Sequence, residues 1–218
     1  MKNVFLSKVV LLAALGCIFV GNLQAKKKEN DGHRNSNNVL MLGLNDNVKS
    51  NYFPKVMITE ETGIMEDVID REYNAIIMEN IMASASGACK FIPTAADTHA
   101  HLHKLCSLIK VNGEGDESYS DLSPVPDDEY RKALDMADAE YLMVVNQHYL
   151  KWQEKPMRTL FHIVSYTLYD KDKNEVYRGN HYFTSMNLER PENIRKISRK
   201  ASSRIASTIV NQIKLNEA

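Results

Sequence analysis

The feature that most constrains the fold is an alternation of two hydrophobic periods along the chain. Short continuous apolar runs, Val39-Leu40-Met41-Leu42-Gly43-Leu44 and Tyr141-Leu142-Met143-Val144-Val145, read as strands buried on both faces. Between and after them the apolar residues recur every three or four positions, the spacing of one helical face. The clearest such stripe closes the chain: Ile194, Ile197, Ala201, Ile205, Ile209 and Ile213, with Pro191 suited to the first turn. A strand buried on both faces needs a layer on each side, so these runs demand helices packed against a sheet.

The remaining elements follow from the same reasoning. Met65, Ile69, Tyr73, Ile76 and Ile77 make a helical stripe over about 64–85, with Glu60, Glu61, Glu66 and Asp67 crowding its start, where the helix dipole favours acids. Cys89-Lys90-Phe91-Ile92 reads as a short strand closed by Pro93. Asp97 is placed to cap a helix from 98 to about 110, with Leu102, Leu105, Cys106 and Ile109 inward. Residues 112–128, rich in acids, Gly, Ser and Pro, read as a mobile surface loop. A short helix over 128–138 follows, with Tyr130, Leu134 and Ala137 on one side. Thr159–Tyr169 and Val176–Thr184 form a hairpin around Asp170-Lys171-Asp172-Lys173-Asn174. The segment 48–60, with Pro54, reads as irregular. The order is β-α-β-α-α-β-β-β-α, which predicts an α+β domain with a mixed sheet of about five strands.

The first 25 residues predict a compartment. Lys2 and Lys8 precede an apolar run to Val20, and Ala25 stands before Lys26-Lys27-Lys28. This is the pattern of a secretory leader. The run is short for a bilayer span, which takes about 20 apolar residues. Cys17 offers a second reading, as a lipidated cysteine behind the small residue Gly16, although Ala14 stands where such signals carry Leu. Three parts are therefore expected: 1–25 a signal peptide, 26–38 a flexible polar lead-in, and 39–218 a single envelope domain. The expected location is the periplasm or the outer-membrane-associated envelope. The trilysine allows only weak peripheral contact with anionic lipid; a solvated tail explains it better.

At 44% hydrophobic and 25% charged, the composition is that of an ordinary globular domain. The net charge of −1 gives no electrostatic reason to expect a nucleic-acid partner. No later segment is apolar enough to cross a membrane.

Several residues bear chemistry. Cys89 and Cys106 are an even pair in an exported chain, which allows a disulfide; two buried free thiols are the alternative. His99 and His103 lie four apart on the expected helix with Cys106 one turn on, a spacing able to chelate zinc or copper. A solvated amphipathic helix explains the same residues. Asp170, Asp172 and Asn174 open like a calcium loop, but Glu175 stands where glycine is needed, so a hairpin turn accounts for them. Arg195, Lys196, Arg199, Lys200 and Arg204 give the closing helix a basic face able to meet an anionic partner, lipid headgroups or a cell-wall polymer. No nucleophile elbow or glycine-rich phosphate loop is present.

One segment carries a resemblance. Ala137-Asp138-Ala139-Glu140-Tyr141-Leu142-Met143-Val144 is similar to the helix-to-strand joint of bacterial envelope domains of the curli-secretion CsgG type. The TolB amino-terminal domain and the lipoprotein activators of penicillin-binding proteins share it. A hairpin with an acidic turn, VSYTLYDKDKNEVYRGNHYF, and the closing helix ASSRIASTIVNQI complete the likeness over about 39–213. The resemblance implies a non-catalytic domain that contacts other envelope components, and carries over no functional residue. The 112–128 segment is longer than that pattern, and no segments suited to pore strands are visible. The expectation is a non-enzymatic binding or assembly accessory without a cofactor. The alternative is a small metal-dependent or hydrolytic enzyme centred on 97–106.

Overall fold

The computed structural model of the chain describes residues 37–85, 87, 89–94 and 100–217. The expected leader, Cys17 and most of the lead-in lie outside them. The elements are β1 (Asn37–Gly43), β2 (Val48–Ser50), α1 (Lys55–Thr62), α2 (Ile69–Ala83), β3 (Cys89–Thr94), α3 (Ala100–Leu108), β4 (Lys110–Asn112), β5 (Tyr119–Asp121), α4 (Asp127–Met136), β6 (Tyr141–Gln153), β7 (Thr159–Asp170), β8 (Glu175–Ser185) and α5 (Pro191–Asn216). The architecture is the expected α+β domain with a mixed sheet and a long closing helix.

The sheet runs β3-β1-β6-β7-β8, and β2 pairs with β6 beyond the end of β1. β3, β1 and β6 are parallel; β6, β7 and β8 are antiparallel. Every residue of β1 is buried, and its side chains alternate between two cores. Val39 and Met41 join Met143 and Val145 beneath α2 and α5, whose Tyr73, Ile76, Ile205 and Ile209 fill that side. Leu40 and Leu42 join Leu142 and Val144 on the opposite face, covered by Leu105 and Cys106 of α3 and by Tyr130 and Leu134 of α4. Each fully buried Leu or Ile contributes about 1.5–3 kcal/mol, so the two cores hold the sheet from both sides.

Gly43 is required where α2 crosses the end of β1. A Cβ there would lie 2.6 Å from Asn74 Cγ. Asn74 is not free to yield, because its Nδ2 donates to Leu44 O at 3.0 Å and its Oδ1 accepts from Asn47 Nδ2 at 2.9 Å.

The joint between α4 and β6 is built by polar residues. Asp138 takes a left-handed backbone, φ 48°, which Asp tolerates better than most residues. Its carbonyl accepts from Asn38 Nδ2 at 2.5 Å, and Glu140 N donates to Asn38 O at 3.0 Å. Asn37 and Asn38, expected in the flexible lead-in, are thus buried residues of β1.

The closing helix differs from its expected stripe in one place. Ile197 lies at the margin, 37% exposed, and Ser198 is fully buried instead. Ser198 Oγ donates to Ile194 O at 2.7 Å and accepts from Asn80 Nδ2 of α2 at 2.9 Å. With Ala201 and Ser202, also buried, it forms a small-residue seam against α2.

Two further expectations are corrected. Residues 48–60 hold β2 and most of α1. Residues 112–128 are not a loose surface loop: Gly115, Ser118, Ser120, Leu122 and Val125 are buried. The glycines serve the turns, with positive φ at Gly113 and Gly115. The serines meet polar groups on the sheet. Gly115 N donates to Gln147 Oε1 at 2.6 Å, Ser118 Oγ bonds Ser165 Oγ, and Tyr169 Oη donates to Ser120 O at 2.6 Å. A polar segment covers a polar strip, so its composition looked like a loop.

The disulfide alternative fails on topology. Cys89 packs in the core under α2 and α5, Cys106 in the core on the other face, and the sheet stands between them. Both are buried free thiols. Iodoacetamide should label both in denaturant without reductant and neither in the folded chain. Labelling that required prior reduction would contradict this placement.

Candidate functional site

The basic face of α5 is built by the same periodicity that fills the core. With Ile194, Ser198, Ala201, Ser202 and Ile205 inward, Lys196, Arg199, Lys200 and Arg204 are exposed. Arg195 is half-buried and pairs with Glu79 of α2, so it is a brace rather than part of a free surface. The other four form no ion pair among the described residues, and Glu192 is the single acid of the helix. Arg204 lies near His181 of β8, whose pKa is lowered by burial first and by the Arg204 charge second. The outer face is therefore one-signed, and its field reaches about 8 Å into physiological salt.

The 97–106 segment is described only in part. His99 and the side chain of His101 lie outside the described residues. His103 is exposed on α3, whereas Cys106 is buried and its Sγ sits 3.9 Å from Gly43 O. Burial pushes the Cys106 thiol up to about 11, away from the thiolate a nucleophile or metal ligand needs. The fold turns His103 and Cys106 to different environments. No group of three or more His, Cys, Asp or Glu among the described residues could hold a metal ion.

The Asp170 turn has a structural task. Asp170 Oδ1 accepts from Asp172 N at 2.8 Å and Asn174 N at 2.9 Å, and Oδ2 accepts from Asn174 Nδ2 at 3.0 Å. One carboxylate thus closes the β7–β8 hairpin, as Asx turns do.

Sequence reasoning missed two places. A crevice of about 610 Å³ opens beyond the carboxyl end of β1 and beside the mid-strand bulge of β6, lined by Asn45, Asp46, Lys49, Ser107, Asn146 and Gln147 among others. Such crevices are the usual ligand position in open α/β sheets. Its amides are largely engaged: Asn47 Nδ2 donates to Val145 O at 3.2 Å, and Asn146 Nδ2 to Thr167 Oγ1 at 3.0 Å. Asp46 is held by Lys49 at 2.6 Å and Lys55 at 3.0 Å, which lowers its pKa. The one signal for it in the sequence is the polar run Asn45-Asp46-Asn47, which directly follows the apolar run of β1.

The second place is a pair of buried histidines. A bulge between Val145 and Gln147 returns His148 to the face that Val145 occupies. His148 meets His162 of β7 at 5.7 Å between ring centroids, with Tyr73 at 4.7 Å on its other side. His162 stacks on Phe183 at 4.5 Å and its Nε2 lies 3.0 Å from Ser185 Oγ. His148 Nε2 and His162 Nδ1 have no hydrogen-bond partner among the described residues. Burial lowers both pKa values, His162 to about 3, and the His162 ring further disfavours a charge on His148.

No protein-family model matches the chain, and no curated protein matches it. Its trace is distantly similar to solved structures. The PelC dodecamer from Paraburkholderia phytofirmans is similar at 9% identity and TM-score 0.39, over 80% of this chain and 88% of that one. A variant of the same dodecamer gives 11% and 0.38, over 78% and 88%. The hypothetical protein CT253 from Chlamydia trachomatis gives 10% and 0.46, over 82% and 99%. No residue role in this chain follows from these likenesses.

The histidine pair sets a pH dependence. Both rings are neutral when folded, whereas the unfolded chain takes up their protons below about pH 6.5. Stability is therefore full above that pH and falls as pH drops below it, by up to about 1.4 kcal/mol per pH unit per histidine. Urea unfolding at pH 7 and pH 5 should show a loss of about 2 kcal/mol or more at the lower pH. Equal midpoints would refute the buried neutral pair.

Proposed function

We propose that this chain is a non-catalytic, exported protein of the cell envelope that serves as a binding or assembly accessory. The surface it offers to an anionic partner is the outer face of α5. The observation that carries this reading is the set of four exposed cations Lys196, Arg199, Lys200 and Arg204, without an ion pair among the described residues, on a helix otherwise locked into the core. Charges that neither brace the fold nor neutralise a neighbour are available for a partner, and a one-signed surface speeds and orients encounter. The leader-like first 25 residues support export to the periplasm or the outer-membrane side. The enzymatic alternative receives no support from α3, where Cys106 is buried with a raised pKa and His103 points outward.

Cross-linking in intact envelopes, followed by purification of the chain, tests the proposal. The natural chain should recover one defined partner. A variant carrying Lys196→Glu, Arg199→Glu, Lys200→Glu and Arg204→Glu should fold with an unchanged urea midpoint and recover at least about tenfold less, or roughly 1.4 kcal/mol of affinity. A chain recovered alone, or equal recovery by the variant, would refute it.

A further inference from the structure

One end of the sheet carries a second exposed surface, distinct in composition from α5. Here β6 closes, β7 opens and β8 closes, with Gln153 opposite Thr159 and Leu160 opposite Ser185. The segment after β2 joins them. Trp152 N donates to Asn51 Oδ1 at 2.7 Å, and Asn51 Nδ2 donates to Trp152 O at 3.2 Å. This pair of hydrogen bonds between the Asn51 side chain and the Trp152 backbone holds an aromatic group in place. Tyr52 stacks on Trp152 at 6.0 Å between centroids, and Phe53 meets both rings edge-on at 5.0 and 5.6 Å.

The apolar groups here are unusually open to water. Met157 in the β6–β7 turn and Met186 after β8 are each 74% exposed, the two most exposed large apolar side chains among the described residues. Tyr52 is 56% exposed. Cations lie in the same stretch as Met157: Lys151, Lys155 and Arg158 are exposed and form no ion pair among the described residues, against the single acid Glu154 there.

We infer that this end docks on the surface of an anionic lipid bilayer. Met157, Met186 and Tyr52 enter the boundary between headgroups and acyl chains, and Lys151, Lys155 and Arg158 meet the lipid phosphates. The charge complements an anionic leaflet. Tyr and Trp with flexible apolar tips beside Lys and Arg are the side-chain set that suits a membrane interface, with one end apolar and the other wet. The residues 154–158 of the turn are all exposed, so they can enter a lipid surface without any element unpacking. This inference stands on different residues from the α5 reading and does not depend on it.

Trp152 is the single tryptophan of the chain and reports from the proposed contact. The test uses the full chain in its processed form, with vesicles of equal phosphatidylglycerol and phosphatidylcholine. Its emission should shift to the blue and be quenched by acyl-chain bromine. Pure phosphatidylcholine should give at least tenfold weaker binding. The exposed pair Met157→Asp with Met186→Asp should weaken the response at least tenfold, as should Lys151→Glu, Lys155→Glu and Arg158→Glu together. An attachment made by the N-terminal segment alone would leave Trp152 emission unchanged on vesicles and would overturn the inference. So would an equal response to neutral lipid, or an undiminished response in the methionine variant.

Discussion

The parallel pairing of β1 with β6 is the constraint on which the rest of the structure depends. Val39–Gly43 lies in register with Tyr141–Val145, and each strand is apolar on both faces. A parallel pair of this kind is stable only when covered on both sides. The chain must therefore supply two layers: α2 and α5 on one face, α3, α4 and the 110–125 segment on the other. Much else follows from that demand. Cys89 and Cys106 fall in separate cores, Gly43 is needed where α2 crosses, and α5 is pinned along one face with its other side left to solvent.

Much of this was legible in the sequence because burial on both faces leaves an unmistakable run of apolar residues. VLMLGL and YLMVV name the two central strands directly. The isoleucine ladder of α5 names its helix. The failures share one physical cause, which is that polar residues were buried with partners the sequence does not reveal. Ser118 and Ser120 look like loop residues until Ser165 and Tyr169 are set opposite them. Ser198 looks like an outward residue until Asn80 reaches it. His148 faces the core only because a bulge shifts the register by one residue.

The candidate surfaces show the same division. Lys196, Arg199, Lys200 and Arg204 could be read from helical spacing alone, since solvent is the default surrounding of a charged face. Arg195 could not be separated from them, because Glu79 comes from a helix more than a hundred residues earlier. The aromatic group at the sheet end was invisible for the same reason. Tyr52 and Trp152 are a hundred residues apart and meet through the pairing of β2 with β6. Exposure of Met157 and Met186 likewise depends on where the hairpin ends fall, not on composition.

Native-state hydrogen exchange tests the central place of the β1–β6 pair most directly. The account predicts that the amides of Leu40–Gly43 and Leu142–Val145 exchange last, with the free energy of global unfolding. The amides of β4 and β5 should open earlier. Exchange of the β1 and β6 amides through a lower-energy opening, with β7 and the edge strand β8 still protected, would contradict it.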